Sequence, residues 1–250
     1  MKKYLVIGNP IGHSLSPLIH NYWIKKYCLI DSIYEKRKIE EKDLENIIKE
    51  IREDKIVGVN ITVPFKKLII PFLDKLDFSA EETQSVNTLF KINNKIIGYN
   101  TDKNGFWDTI KNFYPTTKDS RKSPPLEGKR IFILGAGGVT SSIISALKNG
   151  GANNIILSNR TKEKANELKK LFPELEVLDW GKRPSLCDIV INTTSIGLTK
   201  NEEIKVDFSD YDKNFHKNFL FYDLIYNPKE TVFLKKARLR GNKTMNGKMM

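Results

Sequence analysis

The sequence predicts an α/β protein of two domains, each built on a largely parallel sheet. Three observations predict it. Short apolar runs alternate with amphipathic runs of helical length from Lys2 to Val63. The same alternation restarts at Arg130, after a stretch rich in proline, lysine and small polar residues. And 250 residues are enough to build two cores.

Taken in order, "KKYLVIG" is a short apolar strand, and "SPLIHNYWIKKYCL" sets Leu18, Ile19, Tyr22 and Trp23 at helical spacing. "IYEKRKI" reads as a strand. "EEKDLENIIKEIRED" puts Leu44, Ile47, Ile48 and Ile51 on one helix face, and "VGVNITV" is the next strand. "NTLFKINNKIIGYNTD" is a hairpin turning at Asn93-Asn94, with a helix following from near Asp102. "YPTTKDSRKSPPLEGK" is an exposed connection. Beyond it come the strand "RIFIL", a helix in "VTSSIISALKNGG", the strand "NIILSNR" and a helix through Leu171. The strands "DIVINTTS" and "FLFYDLIY" follow, completing a second α/β unit, with a cleft expected between the two.

Lysine and arginine total 42 against 30 acidic residues, a formal charge of +12. The lysines are scattered among glutamates, as in "KEIREDK" and "TKEKANELKK", which describes solvated helix faces rather than a nucleic-acid stripe. The excess still favours small anionic ligands. Cys28 and Cys187 lie far apart without metal-ligand spacing, so free thiols in a reducing cytoplasm and no metal are expected. No apolar run reaches membrane-spanning length, and none led by basic residues marks a secretory signal.

Several short stretches carry chemistry. In "GNPIGHSLSP", Ser16 can cap a helix whose first residue is Pro17, and Ser14 and Ser16 together offer two hydroxyls to an anion. In "GVNITVPFKK", Pro64 stops sheet pairing, so Lys66 emerges just past the C-terminal edge of a strand carrying Asn60 and Thr62. "SVNTLF" adds Asn87, and "GYNTDKNGF" adds Asn100, Thr101 and Asp102, the last also a suitable helix N-cap. "IFILGAGGVTSSII" has the strand, glycine turn and helix start of a dinucleotide site. Gly135 permits the turn, Gly137 the approach of a pyrophosphate, and Ala136, Gly138 and Val139 complete the loop, with Thr140 at the third fingerprint position. At the end of the next strand, "SNRTKEK" holds Asn159, Arg160, Thr161 and Lys164 where an NAD site would carry a carboxylate, which favours NADP.

"GHSLSP", "NITVPFK", "SVNT", "NTD", "GAGG", "NRT" and "INTTSIG", in this order, resemble the shikimate dehydrogenase family over almost the whole chain. The resemblance implies a substrate-binding and catalytic domain over 1–103, joined by a final helix over about 228–250, and a Rossmann-type NADP-binding domain over 104–227. It implies reversible reduction of 3-dehydroshikimate to shikimate in aromatic amino-acid biosynthesis, by a cytoplasmic monomer or homodimer without nucleic-acid or membrane partners. Ser14 and Ser16 then bind the substrate carboxylate. Thr62, Asn87 and Asp102 face the ring hydroxyls, Lys66 and Asp102 form the acid–base pair, and Tyr226 faces the substrate. Leu224 and Gly247 touch the nicotinamide half of the cofactor, with Thr193, Thr194 and Ser195 in the loop below it. Lysine suits the role, because an ammonium can stabilise a developing alkoxide and protonate it. Two alternatives are an NAD-using quinate/shikimate dehydrogenase, disfavoured by "NRTKEK", and a non-catalytic nucleotide and metabolite binder, disfavoured by Lys66 with Asp102.

Overall fold

The computed structural model describes residues 1–12, 14–114, 124–199, 202–211 and 219–250, which form two compact units, Met1–Asp102 and Lys103–Met250. Most of the exposed connection expected over 114–129 lies outside the described residues.

In the first unit, β1 (Lys2–Gly8) is followed by α1 (Ser16–Lys26), β2 (Ser32–Lys38), α2 (Leu44–Arg52), β3 (Gly58–Ile61) and the short α3 (Phe65–Leu68). Then come β4 (Lys75–Leu76), α4 (Phe78–Thr83), β5 (Thr88–Ile92) and β6 (Lys95–Tyr99), and α5 (Asp102–Phe113) opens on the unit's last residue. The sheet order is β2-β1-β3-β5-β6-β4. β1 pairs in parallel with β2 and β3, whereas β5 enters antiparallel to both β3 and β6. The reversal between β5 and β6 follows from the Asn93-Asn94 turn. Both residues take positive φ, 48° and 60°, the left-handed pair that a two-residue hairpin needs and that asparagine tolerates. Leu44, Ile47, Ile48 and Ile51 of α2 are buried against Val59, Ile61, Leu89 and Ile96 of the sheet, each contributing roughly 1.5–3 kcal/mol of transfer free energy.

Helix α1 differs from α2. Its helical spacing is real, yet it buries no residue, and Leu18, Ile19, Tyr22 and Trp23 remain 45–71% exposed.

In the second unit the elements are β7 (Arg130–Leu134), α6 (Thr140–Asn149), β8 (Asn154–Ser158), α7 (Lys162–Leu171), β9 (Glu176–Leu178), β10 (Ile189–Asn192), β11 (Leu220–Asp223), α8 (Val232–Leu239) and β12 (Lys243–Asn246). The all-parallel order β12-β11-β10-β7-β8-β9 is the doubly wound arrangement, whose ligand crevice opens between β7 and β10. Ile131, Ile133 and Ile144 lie in one core cluster of this unit, and Phe132, Phe208 and Phe221 in another.

The end of the chain departs from expectation. The segment from about residue 228, expected to join the first unit as a helix, belongs here to the second. Lys243–Asn246 pairs with β11 as a parallel edge strand, and Phe233, Leu234 and Ala237 of α8 pack with Phe219 and Phe221. No helix among the described residues is long and apolar enough to cross a membrane.

Candidate active site

In the first unit, the loop after β1 delivers two hydroxyls side by side. Ser14 Oγ donates to Ser16 Oγ at 3.2 Å, and both residues lie in part-buried positions. The expected capping role falls differently. The helix begins at Ser16 itself, and it is Ser14 Oγ that accepts the Ser16 backbone N–H at 3.3 Å. The chain can pass close to β3 here because Gly8 lacks a side chain; a Cβ there would stand 2.5 Å from Thr62 Cγ2. Thr62 is half-buried and is anchored by its N–H on Ile7 O at 2.9 Å.

The cis Val63-Pro64 peptide ends the run of β3 and leads into α3, which carries Lys66. The Lys66 ammonium pairs with Asp102 Oδ2 at 2.5 Å, with the two side chains only 11% and 14% exposed. The second carboxylate oxygen, Oδ1, accepts from Asn87 Nδ2 at 3.0 Å. Asn87 is fixed in turn: Nδ2 also donates to Thr101 Oγ1 at 2.8 Å, and Oδ1 accepts the Thr101 N–H at 3.0 Å. The peptide around Lys66 is tied to the same place, since its carbonyl accepts the Val86 N–H at 2.8 Å. Desolvating a lysine is costly unless a carboxylate faces it, and here one does. The result is an ammonium, a carboxylate and an amide converging within one unit, a group able to steady a developing oxyanion and to pass it a proton.

In the second unit, Gly135 follows β7 with φ +110°, and a Cβ there would lie 2.6 Å from Thr193 Oγ1. Thr140, in place of the third fingerprint glycine, is fully buried. Its Oγ1 meets Gly135 O at 3.1 Å and Thr193 Oγ1 at 2.9 Å, so a hydroxyl ties the turn to the end of β10 where glycine would only have made room. A Cβ on Gly137 would meet nothing within 4 Å, which leaves the backbone ahead of α6 open to a pyrophosphate. Ala136 is buried, while Gly138 and Val139 are half-buried and lead into α6.

Asn159 faces inward rather than outward. Its Oδ1 accepts the Ala136 N–H at 3.0 Å and its Nδ2 donates to Thr161 O at 2.7 Å, so it braces the glycine turn. Thr161 occupies the N-cap position of α7 without a side-chain capping bond. Arg160 and Lys164 are exposed, and among the described residues neither makes an ion pair, whereas neighbouring Lys162 is held by Asp179 at 2.7 Å. Such residues fit a cofactor carrying an extra phosphate on its ribose.

Around the ends of β10 and β11, Thr194 is held by Asn192 Oδ1 at 2.6 Å, and Ser195 is exposed. Leu224 N–H bonds Asn192 O at 3.1 Å, and Gly247 N–H bonds Ile225 O at 3.3 Å. A side chain on Gly247 would run into the Leu224 carbonyl, so those two backbones touch. Tyr226 is half-buried in the same turn. The turn is organised by Asp223, whose Oδ1 accepts from Asn192 Nδ2 and the Ile225 N–H, both at 3.0 Å, and whose Oδ2 accepts from Thr231 at 2.7 Å. Burial pushes its carboxyl up from 3.8 to about 6, against the pull of those three donors.

Reading the sequence singled out Lys66, Asn87 and Asp102, which meet, and Ser14 and Ser16, which meet. It missed Tyr34, Thr88 and Asp223. Tyr34 Oη donates to Asn60 Oδ1 at 2.6 Å, and Asn60 Nδ2 donates to Thr88 Oγ1 at 3.0 Å. Thr88 lies within SVNT, but for Tyr34 and Asp223 the one available signal was a polar residue on the buried face of a strand.

The chain matches two family models, the shikimate dehydrogenase substrate binding domain over residues 6–89 and shikimate / quinate 5-dehydrogenase over residues 118–230. It is 52% identical over 249 residues to the shikimate dehydrogenase (NADP(+)) of Pelagibacter ubique strain HTCC1062, covering 100% of this chain and 88% of that one. The crystal structure of shikimate dehydrogenase from Aquifex aeolicus superposes with a TM-score of 0.84 at 36% identity, covering 100% of this chain and 87% of that one. The Thermus thermophilus enzyme, solved in complex with NADP(H) and shikimate, gives a TM-score of 0.77 at 27% identity, with coverage of 99% and 87%.

Proposed function

The chain belongs to the shikimate dehydrogenase family, and from that premise we propose that it catalyses the NADP-dependent, reversible reduction of 3-dehydroshikimate to shikimate. The observation that carries this reading is the Lys66–Asp102 ion pair with Asn87 on its second oxygen. The cofactor supplies the hydride that turns the ketone carbon into a secondary alcohol.

The remaining work falls to side chains of the protein. Ser14 and Ser16 hold the substrate carboxylate, while Thr62, Asn87 and Asp102 hold its ring hydroxyls and Tyr226 bears on the same molecule. Lys66 steadies the oxygen as negative charge develops and gives it a proton; Asp102 orients the ammonium and shares the proton's path. In the oxidative direction the same pair receives the hydroxyl proton. The acid–base role belongs to the ion pair rather than to either residue alone. For the cofactor, the turn from Gly135 to Val139 and the N-terminus of α6 receive the pyrophosphate. Arg160 and Lys164 receive the 2′-phosphate, with Asn159 and Thr161 shaping the turn. Thr193, Thr194, Ser195, Leu224 and Gly247 border the nicotinamide. On this reading the protein is a cytoplasmic enzyme of aromatic amino-acid biosynthesis, a monomer or homodimer with a small-molecule substrate and neither nucleic acid nor membrane as partner.

The test is the rise of reduced-cofactor absorbance with shikimate and NADP, run beside NAD and quinate. Turnover with the first pair well above the others is expected. Absence of turnover, or preference for NAD with quinate, would overturn the assignment.

A further inference from the structure

A continuous run of side-chain hydrogen bonds joins Tyr34 to the ion pair of the first unit. Ser14 Oγ donates to Ser16 Oγ at the start of α1; burial pushes the Tyr34 phenol up, and the Ser16 hydroxyl pulls it partway back. Tyr34 Oη donates to Asn60 Oδ1 at 2.6 Å, and Asn60 Nδ2 to Thr88 Oγ1 at 3.0 Å. Thr88 Oγ1 donates to Asn87 Oδ1 at 3.0 Å, and Asn87 Nδ2 to Asp102 Oδ1 at 3.0 Å. Lys66 closes the run on Asp102 Oδ2. The links step from β2 across β3 and β5 to the start of α5.

Tyr34 is also the point at which α1 is fastened to the sheet. That helix buries no residue of its own. Asn21, in its second turn, donates Nδ2 to Tyr34 O at 2.8 Å and accepts the Tyr34 N–H at 3.0 Å. His20 stacks on the Tyr34 ring, with centroids 4.1 Å apart and planes 4° from parallel. Tyr34 itself is 5% exposed.

Resting on the function proposed above, we infer that Tyr34 is a positioning residue. Asn21 and His20 hold α1, which opens on Ser16, against Tyr34, and the Tyr34 hydroxyl ties that assembly to Asn60 and so to Asn87 and the Lys66–Asp102 pair, so that a substrate gripped by its carboxylate presents its ring oxygens to the pair.

Tyr34→Phe keeps the His20 stack and the Asn21 clamp and removes only the hydroxyl. The expected result is a rise of about five- to tenfold in both KM and calorimetric Kd for shikimate, the size of one lost hydrogen bond with a partner left unsatisfied. NADP Kd stays unchanged. Ser16→Ala and Asn87→Ala should combine non-additively in the natural background and additively in Y34F. Unchanged shikimate Kd would overturn the inference. So would equal losses for shikimate and NADP with a lowered Tm, or non-additivity that persists in Y34F. If Y34F does not fold, Thr88→Val, which cuts the next link, decides in the same way. A wild-type protein that binds no shikimate would remove the function and this inference together; wild-type binding with an unaltered Y34F removes the inference alone.

Discussion

Asp102 in the first unit and Asp223 in the second both stand beside a strand's end, and they are held by opposite means. Asp102 faces an ammonium, with Lys66 on one oxygen and Asn87 on the other. Among the described residues Asp223 faces only neutral donors, Asn192, Thr231 and the Ile225 N–H, and burial pushes its carboxyl up to about 6. The distribution of the cations is inverted as well. The first unit places Lys66 inside its site, whereas the second leaves Arg160 and Lys164 exposed. Each arrangement suits the task proposed for it. Proton transfer needs a charged pair held still beside the reacting oxygen. Holding a dinucleotide needs backbone room, braced turns and charges that are still free to pair.

Lys66→Ala puts this contrast under the greatest strain. If the ammonium serves the chemistry, kcat falls by about 10²- to 10⁴-fold, the usual worth of a positioned acid or base. NADP affinity, a property of the other unit, stays near its original value. Steady-state kinetics beside cofactor titration by fluorescence reads both. Comparable losses in turnover and NADP binding would mean that Lys66 is structural.

The same contrast separates what was legible in the sequence from what was not. The glycine turn, the NRT segment, Lys66 and Asp102 were legible because each lies in a short string whose residue types have a local physical meaning. Helix α2 was legible because four apolar residues share one face and are buried. Helix α1 has the same kind of spacing, yet its apolar residues stay exposed, since spacing records periodicity and not what lies opposite. Two short edge strands, Lys75–Leu76 and Glu176–Leu178, and the closing strand Lys243–Asn246 escaped notice, because two to four residues carry no period and form only through pairing. Tyr34 and Asp223 escaped for a related reason. Tyr34 bonds Asn60, 26 residues away, and Asp223 bonds Asn192, 31 residues away, so only the assembled sheets bring these partners together.

Asp223 offers the next test. Its carboxyl titrates near 6 when folded against an ordinary 3.8, so the native state keeps a proton through a range in which the unfolded chain has released it. The stability this contributes is fully present below about 3.8 and is lost as pH rises through about 6. A shift of that size corresponds to roughly 3 kcal/mol. Comparing wild type with Asp223→Asn by urea unfolding from pH 4 to pH 7 should show the wild type losing about that much relative to the variant. A difference that stays flat with pH would mean the neutral donors satisfy the carboxylate fully, and the contrast with Asp102 would vanish.

The smallest effect belongs to the exposed cations. Arg160→Ala removes a planar donor from the place where a 2′-phosphate is expected, and a charge-assisted bond of that kind is worth about tenfold to a hundredfold in affinity. Exposure and salt screening pull toward the lower figure. NAD has no phosphate at that position, so its affinity should not move. Dissociation constants for both cofactors, measured at low and physiological ionic strength, separate the possibilities. A loss confined to NADP and shrinking with salt marks Arg160 as a free charge awaiting its partner. Equal losses for NAD and NADP would instead make Arg160 part of the turn's own architecture, like Asn159 beside it, and phosphate recognition would then fall to Lys164.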